Sequence, residues 1–483
     1  MNNYEILMGV FQFISHLIFV LLIGYYVISA LQWYSYKLER VVLHYNRYDW
    51  HLFFFLTPIF VYYLAGNFFW IYLYVLLIPT MVLWYKKLDK KLVFTPRVKR
   101  FFLFLFLATI FQDLLCLSCE ACVKFGVIIP IFFAVLLSML FEKILFDSFK
   151  KSAKIKLEKN KNLEIVAITA SYGKTSIKNY LCQILSHKYD CYMTPRSVNT
   201  LGGIIKDIND DLPKDTEIYI VEAGARLRGD INDISTFVNP HYAIVGKIGE
   251  QHIEYFKTLE NIRNTKMELL NSNRLKNAYV HVSANIKPDD KTMVYGSELK
   301  NVVSTLDGLS FDVELDGKME SFTTSLLGEF NAMNILSCIY MAKTKMSIKE
   351  IKSAVKNLKG VDHRLQRIDA GEKLIIDDSF NGNLEGMISS YELASSYDGR
   401  RVIVTPGIVE STQEANAELA KKIDDVFDVV ILTGKINLDI LSKHIKKAEK
   451  IIVKDKREIE KVLSEFTCKG DLILFSNDTP AFM

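Results

Sequence analysis

Leu163-Glu-Ile-Val-Ala-Ile-Thr-Ala-Ser-Tyr-Gly-Lys-Thr-Ser-Ile-Lys178 is the stretch on which the reading of this chain turns. The apolar run Ile165–Ile168 predicts a buried strand, and Ile177, Tyr180, Leu181 and Ile184 recur at helical spacing from Lys174 onward. A strand, a short polar loop and a helix opening on Gly173-Lys174-Thr175 form the context of a phosphate-binding loop. Backbone N–H groups and the helix dipole favour an anion there. Ser171, Tyr172, Gly173, Lys174, Thr175 and Ser176 are therefore the expected nucleotide contacts, with Lys174 reaching the β and γ phosphates. Thr175 or Ser176 offers a hydroxyl to Mg²⁺. Ala170 replaces a more permissive glycine, so the loop must turn within ordinary backbone angles or carry strain.

Outward from this stretch the chain divides in character. Of its 483 residues the first ~150 are crowded with Phe, Leu, Ile and Tyr, while the remainder has the composition of a soluble protein. A net charge of +4 gives no reason to expect nucleic acid as a partner. Seven cysteines in this length make no disulfide framework, and Cys182, Cys191, Cys338 and Cys468 suit a reducing cytosol. Cys116, Cys119 and Cys122 read as small buried apolar residues. No cleavable signal peptide is expected, since Met1–Met8 lacks a basic region.

Five apolar stretches, about 8–30, 51–65, 68–85, 101–119 and 123–141, predict membrane spans. The second and third read as a helical hairpin around Ala65-Gly66-Asn67, its first arm short. Basic residues follow the first stretch (Lys37, Arg40, Arg47), the third (Lys86 to Arg100) and the fifth (Lys143 to Lys156). Five spans with the N-terminus outside and everything after residue 145 in the cytoplasm satisfy all three clusters. The centres of the stretches show almost no ionisable residues, which argues against transport. Lys150–Lys161 reads as a charged linker.

Beyond the phosphate loop, strands alternate with helices. Glu217–Val221 ends in Glu222-Ala-Gly-Ala-Arg226, and Tyr242–Ile248 delivers Glu250 and His252. A helix over Leu259–Leu270 carries Lys266 and Glu268. A carboxylate at a strand end beside a phosphate loop is where a nucleotide's Mg²⁺ is held. A second alternating region after Gly360 places polar clusters at its strand ends, among them Asp377-Asp-Ser-Phe-Asn-Gly-Asn383. The expected fold is an α-helical transmembrane domain (1–145) followed by two α/β domains, a phosphate-loop domain (155–359) and a smaller Rossmann-like domain (360–483).

Residues ~163–483 resemble the Mur ligase family, ATP-dependent amide-bond ligases of peptidoglycan precursor synthesis. The resemblance rests on Thr169–Ser176, Val198-Asn-Thr-Leu-Gly202, Glu222–Arg226, Asn239-Pro240 through His252 and Thr265-Lys-Met-Glu268. Gly328-Glu-Phe-Asn-Ala-Met-Asn334, His363-Arg364 and Asp377–Asn383 continue it, the last favouring the D-alanyl-D-alanine-adding branch. Phe330 and Arg226 depart from the family's His and Asn. The soluble UDP-binding domain of that branch is replaced here by the apolar stretches.

The resemblance implies a carboxylate activated by ATP to an acyl phosphate, then attacked by an amine. It assigns catalysis to Lys174, Lys266, His252 and Arg364, and nucleotide contacts also to Asn331, Asn334, Asp378 and Asn381. Thr175, Glu222, His252 and a carbamylated Lys266 would hold Mg²⁺, and Asn199, Thr200 and Asn383 the substrate. The implied partners are a UDP-linked muramoyl peptide, D-alanyl-D-alanine, the bilayer of a bacterial inner membrane and neighbouring wall-synthesis enzymes in it. Two other readings stand beside this one. One is a ligase of the same chemistry acting on a lipid-linked muropeptide or polyamide, and the other a nucleotide-dependent membrane scaffold without ligase activity.

Overall fold

A computed structural model of the chain describes residues 3–34, 36, 38–43, 48–88, 90–118, 125–250, 253–380, 382–409, 411–434, 436–453 and 455–477. They fall into two compact units, residues 1–149 and 150–483.

The first unit is all helical. Among the described residues, four helices are long and apolar enough to cross a bilayer, by length and composition: Tyr4–Trp33, Gly66–Lys87, Pro96–Leu117 and Ile128–Lys159. We call them α1 to α4, α1 beginning at Asn3. The second expected stretch, about 51–65, lies in a helical run over 48–64, with π-type turns at Leu52–Leu56. At 1.5 Å per residue that run falls short of the ~30 Å hydrocarbon layer. Helix α1 packs on α3 so tightly that a Cβ on Gly24 would lie 2.1 Å from Leu105 Cδ2. Small residues at such crossings are what let apolar helices approach in lipid.

Three further expectations are corrected by the structure. The span centres are not free of ionisable groups: His16 Nδ1 and Asp113 Oδ2 pair at 2.8 Å, both side chains fully buried. The pairing is what makes both tolerable in an apolar bundle, and His16 Nε2 and Asp113 Oδ1 keep no partner among the described residues. Cys116 is disulfide-bonded rather than a simple space-filler, while Cys119 and Cys122 lie outside the described residues. Finally, 150–161 is not a loose linker, because α4 continues to Lys159. Its Lys, Glu, Ala and Leu residues are strong helix formers, and Lys154 and Glu158 sit one turn apart.

The second unit holds two six-stranded sheets. In the first, β1 (Glu164–Thr169), β2 (Cys191–Met193), β3 (Ile218–Glu222), β4 (Tyr242–Val245), β5 (Asn277–His281) and β6 (Thr292–Tyr295) are ordered β2-β3-β1-β4-β5-β6. All its pairings are parallel. Both faces of β1 are covered, Val166 and Ile168 packing into one core and Ile165 and Ala167 into the other. That double burial is why the strand reads as an unbroken apolar run. The chain leaves β1 to one side through β3 and to the other through β4, so the carboxyl end of β1 is the switch point where such sheets bind ligands.

The antiparallel sheet β7 (Leu299–Thr305), β8 (Gly308–Leu315) and β9 (Lys318–Thr324) was not expected from the sequence. Its signal was present: Asp316-Gly317, at φ 52° and 76°, is the two-residue turn that closes β8 onto β9. The second large sheet is built from β10 (Gln366–Ala370), β11 (Lys373–Asp378), β12 (Arg401–Thr405), β13 (Val429–Thr433), β14 (Glu449–Val453) and β15 (Leu472–Ser476), in the order β10-β11-β15-β12-β13-β14. Only its edge pair β10–β11 is antiparallel. The α/β alternation expected for this half is therefore present in both sheets.

Candidate active site

The loop after β1 turns on one residue. Gly173 adopts φ 82° and caps helix α5 (Lys174–Leu185). A side chain there would be strained by the backbone angle and would strike Asn334, whose Oδ1 lies 2.6 Å from the Cβ position. Ala170 is buried and absent from the positive-φ residues, so the backbone is unstrained at that position and the left-handed angle falls on Gly173. Ser171 ties it to the end of β4, its N–H donating to the Lys247 carbonyl and its hydroxyl to the Gly249 carbonyl at 2.9 Å. Tyr172 packs its ring over Gly249.

Lys174 folds over this loop, donating to the carbonyls of Ala170 (2.8 Å) and Ser171 (3.1 Å). Burial brings its ammonium down to about 8; Glu222 opposes the shift and Arg364 adds to it. Thr175 Oγ1 donates to Glu222 Oε2 at 3.0 Å, which closes the corner between the ends of β1 and β3. Strand register sets this up, since Ile168 lies opposite Glu222. Asn199 Nδ2 donates to the other carboxylate oxygen at 3.2 Å. Ser176 is buried behind them.

Lys266, on helix α6 (Leu259–Met267), is a buried lysine. Its ammonium is pushed well below the ordinary lysine value by burial and then by the charge of Lys174, with Glu222 opposing. The amine is thus held toward its neutral, nucleophilic form. Its sequence neighbour Glu268 acts elsewhere, as a helix cap. The Glu268 carboxylate accepts from the N–H groups of Gly229 and Asn232 at the start of the helix Asp230–Val238.

From the later part of the chain, Arg364 donates to the Phe380 carbonyl (2.6 Å) and lies 4.7 Å over the Phe380 ring. It feels Asp378 and Glu222 as counter-charges. Burial lifts Asp378 to about 6, with Arg364 opposing, and one of its oxygens accepts from the Leu365 N–H. Asn334 donates to Asn331, which donates to the Leu327 carbonyl, so this pair is anchored beside Gly173.

The structure thus gathers Lys174, Thr175, Glu222, Asn199, Lys266, Arg364 and Asp378 around one corner. It uses Thr200 and Asn383 locally, as side-chain caps of the helices starting at Leu201 and Leu384. Arg226 is exposed and turns away. His252 and Asn381 lie outside the described residues. One residue escaped the sequence reading: Lys178, fully buried, with Nζ 3.2 Å from Glu222 Oε2. Its signal was its position one helical turn beyond Lys174, within an otherwise apolar face.

A divalent cation suits the Thr175–Glu222 corner chemically, because a hydroxyl and a carboxylate are the hard oxygen donors that Mg²⁺ takes. Among the described residues no group of three or more His, Cys, Asp or Glu side chains could hold an ion. An ion there would share its shell with phosphate and water oxygens. Even without Lys266, the cations Lys174, Lys178 and Arg364 outnumber the two carboxylates, Glu222 and Asp378, a surplus that suits a polyphosphate.

Residues 168–342 match the Mur ligase middle domain. Among curated relatives, the UDP-N-acetylmuramoyl-tripeptide–D-alanyl-D-alanine ligase of Bacillus subtilis (strain 168) is 26% identical over 335 residues, which cover 64% of this chain and 72% of that one. The ligase of the same name from Escherichia coli (strain K12) is 25% identical, over 52% of this chain and 60% of its own. The chain therefore spans less than two thirds of some of these relatives. The MurF ligase of Thermotoga maritima in complex with ADP superposes with a TM-score of 0.58 at 25% identity, covering 69% of this chain and 80% of that one. A D-alanyl-D-alanyl ligase from Acinetobacter baumannii shares the fold, with a TM-score of 0.62 at 21% identity over 69% and 76% of the two chains.

Proposed function

We propose that the chain is an ATP-dependent, ADP-forming ligase that joins D-alanyl-D-alanine to a UDP-linked muramoyl tripeptide. The observation that carries this reading is the corner itself: Lys174, Thr175 and Glu222 at the switch point of a Mur ligase middle domain, with Arg364 brought to them. The tripeptide carboxylate attacks the γ-phosphorus of ATP, ADP leaves, and an acyl phosphate results. The amine of D-alanyl-D-alanine then attacks the acyl carbon, phosphate departs, and the nitrogen gives up a proton to leave the amide.

Lys174 offsets charge on the transferring phosphoryl oxygens, and Arg364 approaches the nucleotide from the other side. Mg²⁺, when bound at Thr175 and Glu222, supplies further charge neutralisation. Lys266 supports a second role: its buried amine, once the ammonium has lost one proton, can add CO₂ and release a second, which leaves an anionic carbamate. His252 is the proposed companion of that anion, and Asn199 a contact near the acceptor.

We place residues 1–145 in a bacterial inner membrane, with 155–359 and 360–483 as the two catalytic domains in the cytoplasm. Basic residues lie within both 37–47 and 86–100, which puts these segments on one side, so the run over 48–64, though short, pairs with α2 as the two arms of a hairpin in a locally thinned bilayer. That gives five crossings and an outside N-terminus. The presence of apolar helices where soluble relatives grip UDP favours one further reading, a lipid-linked muropeptide as acceptor.

The test is the purified full chain with ATP, Mg²⁺, D-alanyl-D-alanine and either acceptor, following ADP release and the ligated product. Lys174→Ala should lower turnover by on the order of 10²–10³-fold while the protein stays folded. Wild-type turnover in that variant would refute the phosphate-loop assignment.

A further inference from the structure

The acid at the end of β3 carries more partners than a metal ligand needs. Glu222 is buried, and both its carboxylate oxygens are engaged. Its Oε1 accepts from Asn199, its N–H donates to Thr194 Oγ1 at 3.2 Å, and its Oε2 takes two donors, Thr175 Oγ1 and Lys178 Nζ. Lys178 is fully buried and has a second bond, to the Arg196 carbonyl at 2.5 Å. Arg196 stands at φ 46°, a conformation unusual for a non-glycine residue, in the loop that also brings Asn199 to Glu222. The lysine is thus aimed from α5 and held from the loop between β2 and the helix beginning at Leu201.

We infer that Lys178 is a positioning residue, a resident cation that holds Glu222 in place and competes with a divalent cation for Oε2. The inference rests on the proposed nucleotide and metal chemistry of this corner and assigns to it a regulator of metal affinity. The physical reason is local. An ion coordinating Oε2 at ~2.0–2.1 Å would share that oxygen with an ammonium group, and like charges this close repel strongly where water is excluded. A buried carboxylate also cannot wait unpaired for its metal, since an uncompensated buried charge is strongly destabilising. Lys178 meets that need at the cost of weaker metal binding. Lys174 does not serve instead, because its ammonium is turned to the loop carbonyls.

The experiment titrates Mn²⁺ into the full-length protein in detergent, without nucleotide, and reads free Mn²⁺ by electron paramagnetic resonance. Lys178→Met should bind Mn²⁺ about tenfold tighter or more than wild type, because the competing charge is gone. Lys178→Arg should match wild type, and Glu222→Gln should abolish the site. Equal or weaker Mn²⁺ binding by the neutral variant overturns the inference, since a merely structural lysine predicts that result. Lys178→Gln, which keeps a donor to the Arg196 carbonyl, carries the same expectation if Lys178→Met does not fold. Failure of both to fold in saturating Mn²⁺ also overturns it, because the metal should replace the missing charge. Ligation is not read in this titration. A chain that ligates but shows unchanged Mn²⁺ binding loses this inference alone; one that shows tighter binding and ligates nothing loses the ligase reading alone.

Discussion

Asn334 stands directly over Gly173: its amide oxygen is 2.6 Å from where a glycine Cβ would be. The phosphate loop is therefore closed from above by a helix that begins more than 150 residues later, at Phe330. Gly173→Ala should lose nucleotide affinity by about tenfold or more and stability by roughly 1–3 kcal/mol, since φ 82° and the contact both oppose a side chain. Calorimetric titration with ADP and a thermal melt check this. Undiminished ADP binding would mean that the loop is looser than its geometry indicates.

Lys266 separates a ligase from a simple nucleotide binder. Lys266→Ala should remove most ligation, and bicarbonate or a short-chain acid should partly restore it by refilling the anionic position. Ligation rates for both proteins, with and without the additive, decide the matter. An unimpaired variant would eliminate the carbamate, since Ala is otherwise well tolerated in a helix.

Asp378 gives a signature in stability against pH. Its folded value is raised to about 6 from 3.8, so between those values the native state binds more protons than the unfolded one. Its contribution is fully present below pH 3.8 and is lost as pH rises through 6. Wild type should therefore lose on the order of 2 kcal/mol relative to Asp378→Asn between pH 4 and 7. Parallel denaturant melts at several pH values measure it, and identical slopes would disprove the burial of this carboxyl.

The membrane topology is testable by reporter placement. A fusion after residue 150 should report cytoplasm, and an insertion near residue 120, which lies outside the described residues, should report the opposite side. A signal from outside at 150 would reverse the orientation and deprive the nucleotide site of ATP.

Much of the corner was legible because its pieces are local. The change from an unbroken apolar run to helical spacing located β1, its loop and α5, and a carboxylate directly after a strand located Glu222. What escaped depended on distant partners. Lys178 looked like one more lysine until β3 placed Glu222 beside it. His16 and Asp113, 97 residues apart, give no joint signal in sequence. The run 150–159 was misread because charge was taken as a mark of a linker, although those residue types favour helix. The hairpins of β7–β9 carry only a short local signal, such as the Asp316-Gly317 turn, beside strands whose exposed faces break up the apolar runs.

The buried His16–Asp113 pair bears on how the protein is made. Helix α1 leaves the ribosome 97 residues before its partner, an interval on the order of 5–20 s at ordinary rates of synthesis. On the proposed placement in a bilayer, the carboxylate of Asp113 is costly until it has its partner. If the proposed membrane placement holds, the histidine-bearing helix would have to be kept at the translocon until α3 arrives, so that Asp113 enters with His16 already in place. Exchanging the two residues would put the unpaired carboxylate in lipid first, and such a chain should be caught during biogenesis by membrane quality-control proteases even though its finished bundle would contain the same pair.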